Sequence, residues 1–169
     1  EYKTTLEMAL NLGVYSADLS YTSLFDQTQL SLKYMAAAKK LADGLGIIEA
    51  FDAEMIRKLE ENVNNKAVVM DIISQAFMNS NISLKQEDRN AVATIVLIGG
   101  YIESMYIGTQ LSGKTYTQNE LVSRIIDQRL PLNSIMNLIE THKENKHVEK
   151  IYDDIVALKA IFDKISVTT

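Results

Sequence analysis

The sequence has no cysteine, no tryptophan, a single proline and seven glycines in 169 residues. Without thiols it has no disulfides, no thiolate metal ligands and no thiol nucleophile. The lone proline, Pro131, and the lack of alternating apolar and polar runs leave nothing that reads as a strand. Positive charge is short as well: 17 Lys and Arg stand against 22 Asp and Glu, a net charge of -5. There is no basic footprint, so nucleic acid is not an expected partner. The longest apolar stretch, Ala91 to Ile102, falls short of the roughly 20 residues that span a bilayer. Glu103 follows it directly, and no transmembrane segment is expected.

What remains is an ordinary globular composition, 47% hydrophobic and 23% charged. A chain of this length buries about 70% of its unfolded surface when it folds as one domain. Periodicity and caps predict an all-α fold, a compact bundle of about eight helices spanning residues 1-169 as a single domain.

The first helix is expected from about Thr4 to Leu24. Asp26 with Gln29 reads as a capping box opening a second, which Gly44 ends. Asp52 caps a third that carries Met55, Ile56, Leu59 and Val63. A fourth carries Val69, Ile72, Ile73, Ala76 and Phe77, and Asn79-Ser80-Asn81 is expected to stop it. Ser83 with Gln86 then opens the longest helix, to about Leu111 and apolar on every side from Ala91 to Ile102, which marks it as the buried centre. Thr117 with Glu120 caps a sixth, and Pro131 sits where a seventh begins. The last carries Val148, Ile151, Ile155, Leu158, Phe162 and Ile165 on one face; that stripe serves either the core or a second copy of the chain.

The two halves resemble each other. Leu12-Gly13-Val14-Tyr15 and Ile98-Gly99-Gly100-Tyr101 open similar stretches, each followed by a second tyrosine, Tyr21 and Tyr106. This pattern suggests two duplicated four-helix units, about 4-81 and 84-166. Ala9, Gly13 and Ala17 in one half, and Gly100, Ser104 and Gly108 in the other, place small residues at four-residue spacing. Such faces let helices approach closely, so the first and fifth helices are expected to cross there. Beside the crossing stand Tyr15, Asp18 and Tyr21, and Tyr101, Glu103 and Tyr106: the candidate ligand-binding residues. Space-filling is the plainer role for such tyrosines. Glu103 interrupts a nearly continuous apolar surface, and an isolated buried carboxylate is costly, so it must be exposed, paired or functional.

One catalytic pattern matches literally: residues 108-115, Gly-Thr-Gln-Leu-Ser-Gly-Lys-Thr, satisfy the phosphate-binding P-loop. That loop has to leave a buried strand and enter a helix whose amides hold the phosphates. Here helix precedes it, and a helix-to-helix turn explains the match. Metal binding has less support. Glu144 and His147 have the spacing of one di-iron bundle motif, which needs a second copy and two further glutamates. His142 and His147, the only histidines, read as surface residues, and no nucleophile elbow is present. No catalytic residue, metal or cofactor is expected.

Three segments carry a resemblance: residues 11-21 (Asn-Leu-Gly-Val-Tyr-Ser-Ala-Asp-Leu-Ser-Tyr), 45-54 (Leu-Gly-Ile-Ile-Glu-Ala-Phe-Asp-Ala-Glu) and 98-106 (Ile-Gly-Gly-Tyr-Ile-Glu-Ser-Met-Tyr). They resemble an uncharacterised family of secreted, lipoprotein-like helical proteins from Gram-negative anaerobes. The resemblance implies a signal peptide and a lipid anchor ahead of Glu1, hence a periplasmic or outer-membrane-anchored protein, and implies no activity. The expectation is a noncatalytic helical module that binds a protein or small molecule at the cell envelope. The alternative is a nucleotide-binding enzyme using residues 108-115, with Lys114 on phosphate and Thr115 on magnesium. Helix running through Tyr106 favours the module, and a strand before Gly108 favours the enzyme.

Overall fold

A computed structural model describes residues 2-47, 52-62, 64-86, 89-113 and 120-165. Among the described residues there is no strand. The described residues form eight helices in order: α1 (Thr5–Leu24), α2 (Thr28–Gly44), α3 (Ala53–Glu61), α4 (Lys66–Gln86), α5 (Asn90–Ser112), α6 (Glu120–Asp127), α7 (Arg129–Thr141) and α8 (Lys146–Phe162). The all-α expectation holds. The chain forms two compact units, Glu1–Ser104 and Met105–Thr169, and the division falls inside α5.

In the first unit α1 opens with a capping box. Thr4 Oγ1 accepts from the Glu7 amide at 3.1 Å, and the Glu7 carboxylate accepts from the Thr4 amide at 3.0 Å. These bonds satisfy amides that the first turn of a helix leaves without partners. α1 and α2 pack as a hairpin, with Met8 near Gly44 at one end and Thr22 near Ser31 at the other. At the turn Asp26 has φ 57°, a left-handed conformation that its short polar side chain tolerates. Lys66 pairs with Asp26 there at 2.9 Å. Asp26 therefore does not cap α2 as its spacing to Gln29 predicts: the reversal takes it, and Gln27 occupies the cap position without a side-chain capping bond.

Just inside the turn, buried hydroxyls join the two helices. Ser31 Oγ lies 3.0 Å from Thr22 Oγ1 and 3.3 Å from Ser23 Oγ. Thr22 and Ser23 also donate to their own helix, to the carbonyls of Asp18 and Leu19. No buried oxygen in this group goes without a partner, the condition for placing hydroxyls in a core at little cost.

The predicted stop at Asn79-Ser80-Asn81 is corrected, since α4 runs on to Gln86. Val69, Ile72, Ala76, Ser80 and Leu84 form one buried stripe through the polar triplet. Ser80 joins that stripe because its hydroxyl donates to the Ala76 carbonyl at 2.8 Å. The fifth helix accordingly starts at Asn90, later than the Ser83 and Gln86 pattern suggests. Asp52 does cap α3, accepting from the Met55 amide at 2.7 Å. Leu19, Met35, Leu59 and Ile72 bring α1, α2, α3 and α4 into one cluster, with Tyr34, Met55 and Ile56 packed against it.

α1 and α5 meet backbone to backbone. A Cβ on Gly13 would overlap the Val96 carbonyl oxygen, and a Cβ on Gly99 would overlap the Leu10 carbonyl. The expected crossing is present, with a shift of residues. On α5 the contact uses Val96, Gly99 and Gly100, while Ser104 is exposed and Gly108 instead faces Ile125 of α6, whose side chain a Cβ on Gly108 would meet at 3.5 Å. Among the described residues α5 alone, with 23 residues, has the length and apolarity to cross a membrane. Residues between Val92 and Tyr101 are spent in the core of the first unit, so α5 is no clear transmembrane segment.

In the second unit α7 presents Leu132, Ile135 and Ile139, and α8 presents Val148, Ile155 and Phe162; all six are buried. Pro131 sits in the first turn of α7, where its missing amide hydrogen costs nothing. Asn145 caps α8 by accepting from the His147 amide at 2.9 Å. The α8 stripe thus serves the core of its own unit, and Ile155 is not available to a second copy.

Candidate functional site

Three of the sequence-predicted residues converge in the first unit, together with two that the sequence did not single out. Tyr15 and Asp18 come from α1, two and five residues beyond the contact at Gly13. Glu103 comes from α5, one turn beyond Gly99 and Gly100. Tyr34 joins from α2, its ring centroid 5.8 Å from that of Tyr15. Tyr2, in the segment before α1, lies on the far side of Tyr15 with ring centroids 6.3 Å apart and hydroxyls 3.0 Å apart. The result is a row of three tilted tyrosine rings beside two carboxylates.

The electrostatics of this group run one way. Burial pushes the Asp18 carboxyl above the ordinary carboxylate range. Burial first, and then the Asp18 charge, does the same to Glu103. The Tyr15 hydroxyl is pushed up to about 12, mainly by its hydrogen bond with Tyr2 and by burial, with the Asp18 charge adding to both. Tyr34 is raised by burial and by the charges of Asp18 and Glu103. Each of these shifts disfavours negative charge, and no cation among the described residues offsets it. Among the described residues neither carboxylate accepts a hydrogen bond or pairs with a Lys, Arg or His.

The other three predicted residues have different surroundings. Tyr101 is buried in the first unit, which raises its hydroxyl to about 12 by desolvation. Tyr21 packs on Phe25 at the end of α1, with ring centroids 4.7 Å apart. Tyr106 is 58% exposed and belongs to the stretch of α5 in the second unit. Tyr34 could have been found from its four-residue spacing to Ala38, on the face of α2 that meets α1. Tyr2 has no sequence signal, because its place depends on how the chain enters α1.

A separate cavity lies among α1, α2, α3, α4 and α5, lined by Leu12, Met35, Met55, Phe77 and Val96 among others. It holds about 20 Å³, room for one water, and its two hydroxyls already donate to their own helices, Ser16 to Leu12 and Ser80 to Ala76. It is a packing gap in an apolar core.

The P-loop pattern falls on helix. α5 is continuous through Tyr106 to Ser112, so Gly108 to Ser112 are helical, and no strand precedes them among the described residues. Lys114, Thr115 and the Thr117 cap lie outside the described residues. Among the described residues no group of three or more His, Asp or Glu is placed to hold a metal. His142 ends α7, and His147 stands in the first turn of α8.

The fold and this site define an all-α protein with an acidic, tyrosine-lined patch at a glycine-mediated helix contact. No family model, no curated protein and no solved structure matches the chain.

Proposed function

We propose that the protein is a noncatalytic helical binding module of the cell envelope, and that its site is the patch formed by Tyr15, Asp18, Tyr34 and Glu103. One observation carries the reading: two half-buried carboxylates border the same tyrosine, Tyr34, and among the described residues neither has a cation or a hydrogen-bond donor. Desolvated like charges are costly, and a cationic group from a ligand or a partner protein relieves both at once. The tyrosine rings beside them offer faces to the apolar part of such a group. The envelope placement rests on the resemblance of residues 11-21, 45-54 and 98-106 to secreted, lipoprotein-like chains.

Titration calorimetry with butylammonium and tetramethylammonium, and with butyrate as the anionic control, tests the site. The expected result is binding of the cations alone, weakened at least tenfold in Asp18→Asn and in Glu103→Gln. Equal heats for all three probes would discard the site. Cell fractionation of the full-length gene product tests the placement separately.

A further inference from the structure

Tyr2, in the segment before α1, is 39% exposed and lies against the half-buried Tyr15. Their hydroxyl oxygens are 3.0 Å apart, and their ring centroids 6.3 Å apart at a tilt of 56°. Rings whose centroids and hydroxyls are both this close meet along their hydroxyl-bearing edges. Those edges hold the ring carbons beside the hydroxyl-bearing carbon, where a phenol that has lost a hydrogen atom concentrates its unpaired electron. Tyr34 also touches Tyr15, but it is half-buried, and among the described residues no hydrogen bond joins its hydroxyl to that of Tyr15. Tyr2 is the exposed member of the row, so a dissolved oxidant reaches the row there first.

We propose that Tyr2 and Tyr15 form an oxidative cross-linking site, at which a one-electron oxidant of the peroxyl-radical class joins the two rings and fastens the segment before α1 onto that helix. Each phenol gives one hydrogen atom, a proton with an electron, to a peroxyl radical, which leaves as a hydroperoxide. The two phenoxyl radicals couple at a ring carbon beside each hydroxyl, and each ring then passes the hydrogen of that carbon to its oxygen. In sum two ring C–H bonds break, one C–C bond and two hydroperoxides form, and both hydroxyls are restored. Coupling within the pair outpaces coupling between molecules because the fold already holds the second ring in contact with the first. The link uses neither Asp18 nor Glu103, so it does not depend on the binding reading.

The experiment exposes the dilute protein to peroxyl radicals from a water-soluble azo initiator. The expected product fluoresces as dityrosine, runs as a monomer and is lighter than the starting chain by two hydrogen atoms. Trypsin, cutting after Lys3 and Lys33, leaves Tyr2, Tyr15 and Tyr34 on three different peptides. Tandem mass spectrometry is expected to find the Tyr2 peptide joined at Tyr15. Tyr2→Phe should lose the link, whereas Tyr21→Phe and Tyr106→Phe should keep it. Wild type treated in concentrated urea, a control that depends on no variant, should give at least fivefold less of the monomeric product. Absence of the link, a main product joined at Tyr34 or between molecules, or an equal yield in urea overturns the proposal.

Discussion

Gly13 faces Gly100 so closely that a methyl group on Gly100 would rest 3.4 Å from the Gly13 carbonyl oxygen, while one on Gly13 would overlap the Val96 carbonyl. The contact is asymmetric, which makes the glycines of this chain unequal in a measurable way.

Gly13→Ala and Gly99→Ala should each destabilise the protein by about 1–3 kcal/mol or more, since the new methyl meets backbone that cannot step aside. Gly100→Ala should cost far less, because its nearest contacts are of ordinary van der Waals length. Gly44→Ala meets only the flexible Met8 sulfur, so its higher helix propensity offsets most of the crowding. Denaturant unfolding of the four variants checks the order, and a Gly100→Ala cost equal to that of Gly13→Ala would contradict the geometry.

α3 is held by few attachments. Leu59 is its one buried side chain, 3% exposed, and Asp52 supplies the cap. Leu59→Ala should cost about 2–5 kcal/mol, and Asp52→Ala about 1 kcal/mol. Amide hydrogen exchange should show α3 losing protection before α1 or α2 in both variants. Uniform loss of protection across the first unit would mean that α3 is not separately anchored.

His147 gives a pH prediction in the second unit. Its Nδ1 is buried without a hydrogen-bond partner, and burial, then Lys146 and Lys150, hold the ring below its ordinary value of 6.5. The folded state therefore resists the proton more than the unfolded state does. The stability this group contributes is present above pH 6.5 and falls as pH drops through that value. Ring-proton NMR should place the His147 midpoint below 6.5, and His147→Gln should flatten that part of the stability profile. A midpoint above 6.5 would refute the assignment.

Local signals carried most of the secondary structure. The cap at Asp52, the end of α2 at Gly44 and the one-sided stripe of α8 were legible because each depends on residues within a turn or two. Asp26 misled because the same residue type serves a cap and a left-handed turn, and only the need to reverse the chain decides between them. Asn79-Ser80-Asn81 misled because Ser80 can satisfy its hydroxyl on its own helix and enter a core. Of the site, Tyr15, Asp18 and Glu103 were legible as polar groups beside small-residue faces. Tyr34 was legible only as a member of the α2 face that meets α1, and Tyr2 not at all, since its part depends on how the chain enters α1.

The sequence by itself determined that this protein is helical, that it has no thiol chemistry, and that the helices bearing Gly13 and Gly100 meet. Those properties follow from composition and from periodicity along one chain. Only the tertiary structure decided which glycines touch backbone, that residues 108-112 are helix, and that Asp18 and Glu103 both act on Tyr34 with no cation among the described residues paired to either. Such facts concern distances between segments far apart in the chain, which no local pattern encodes.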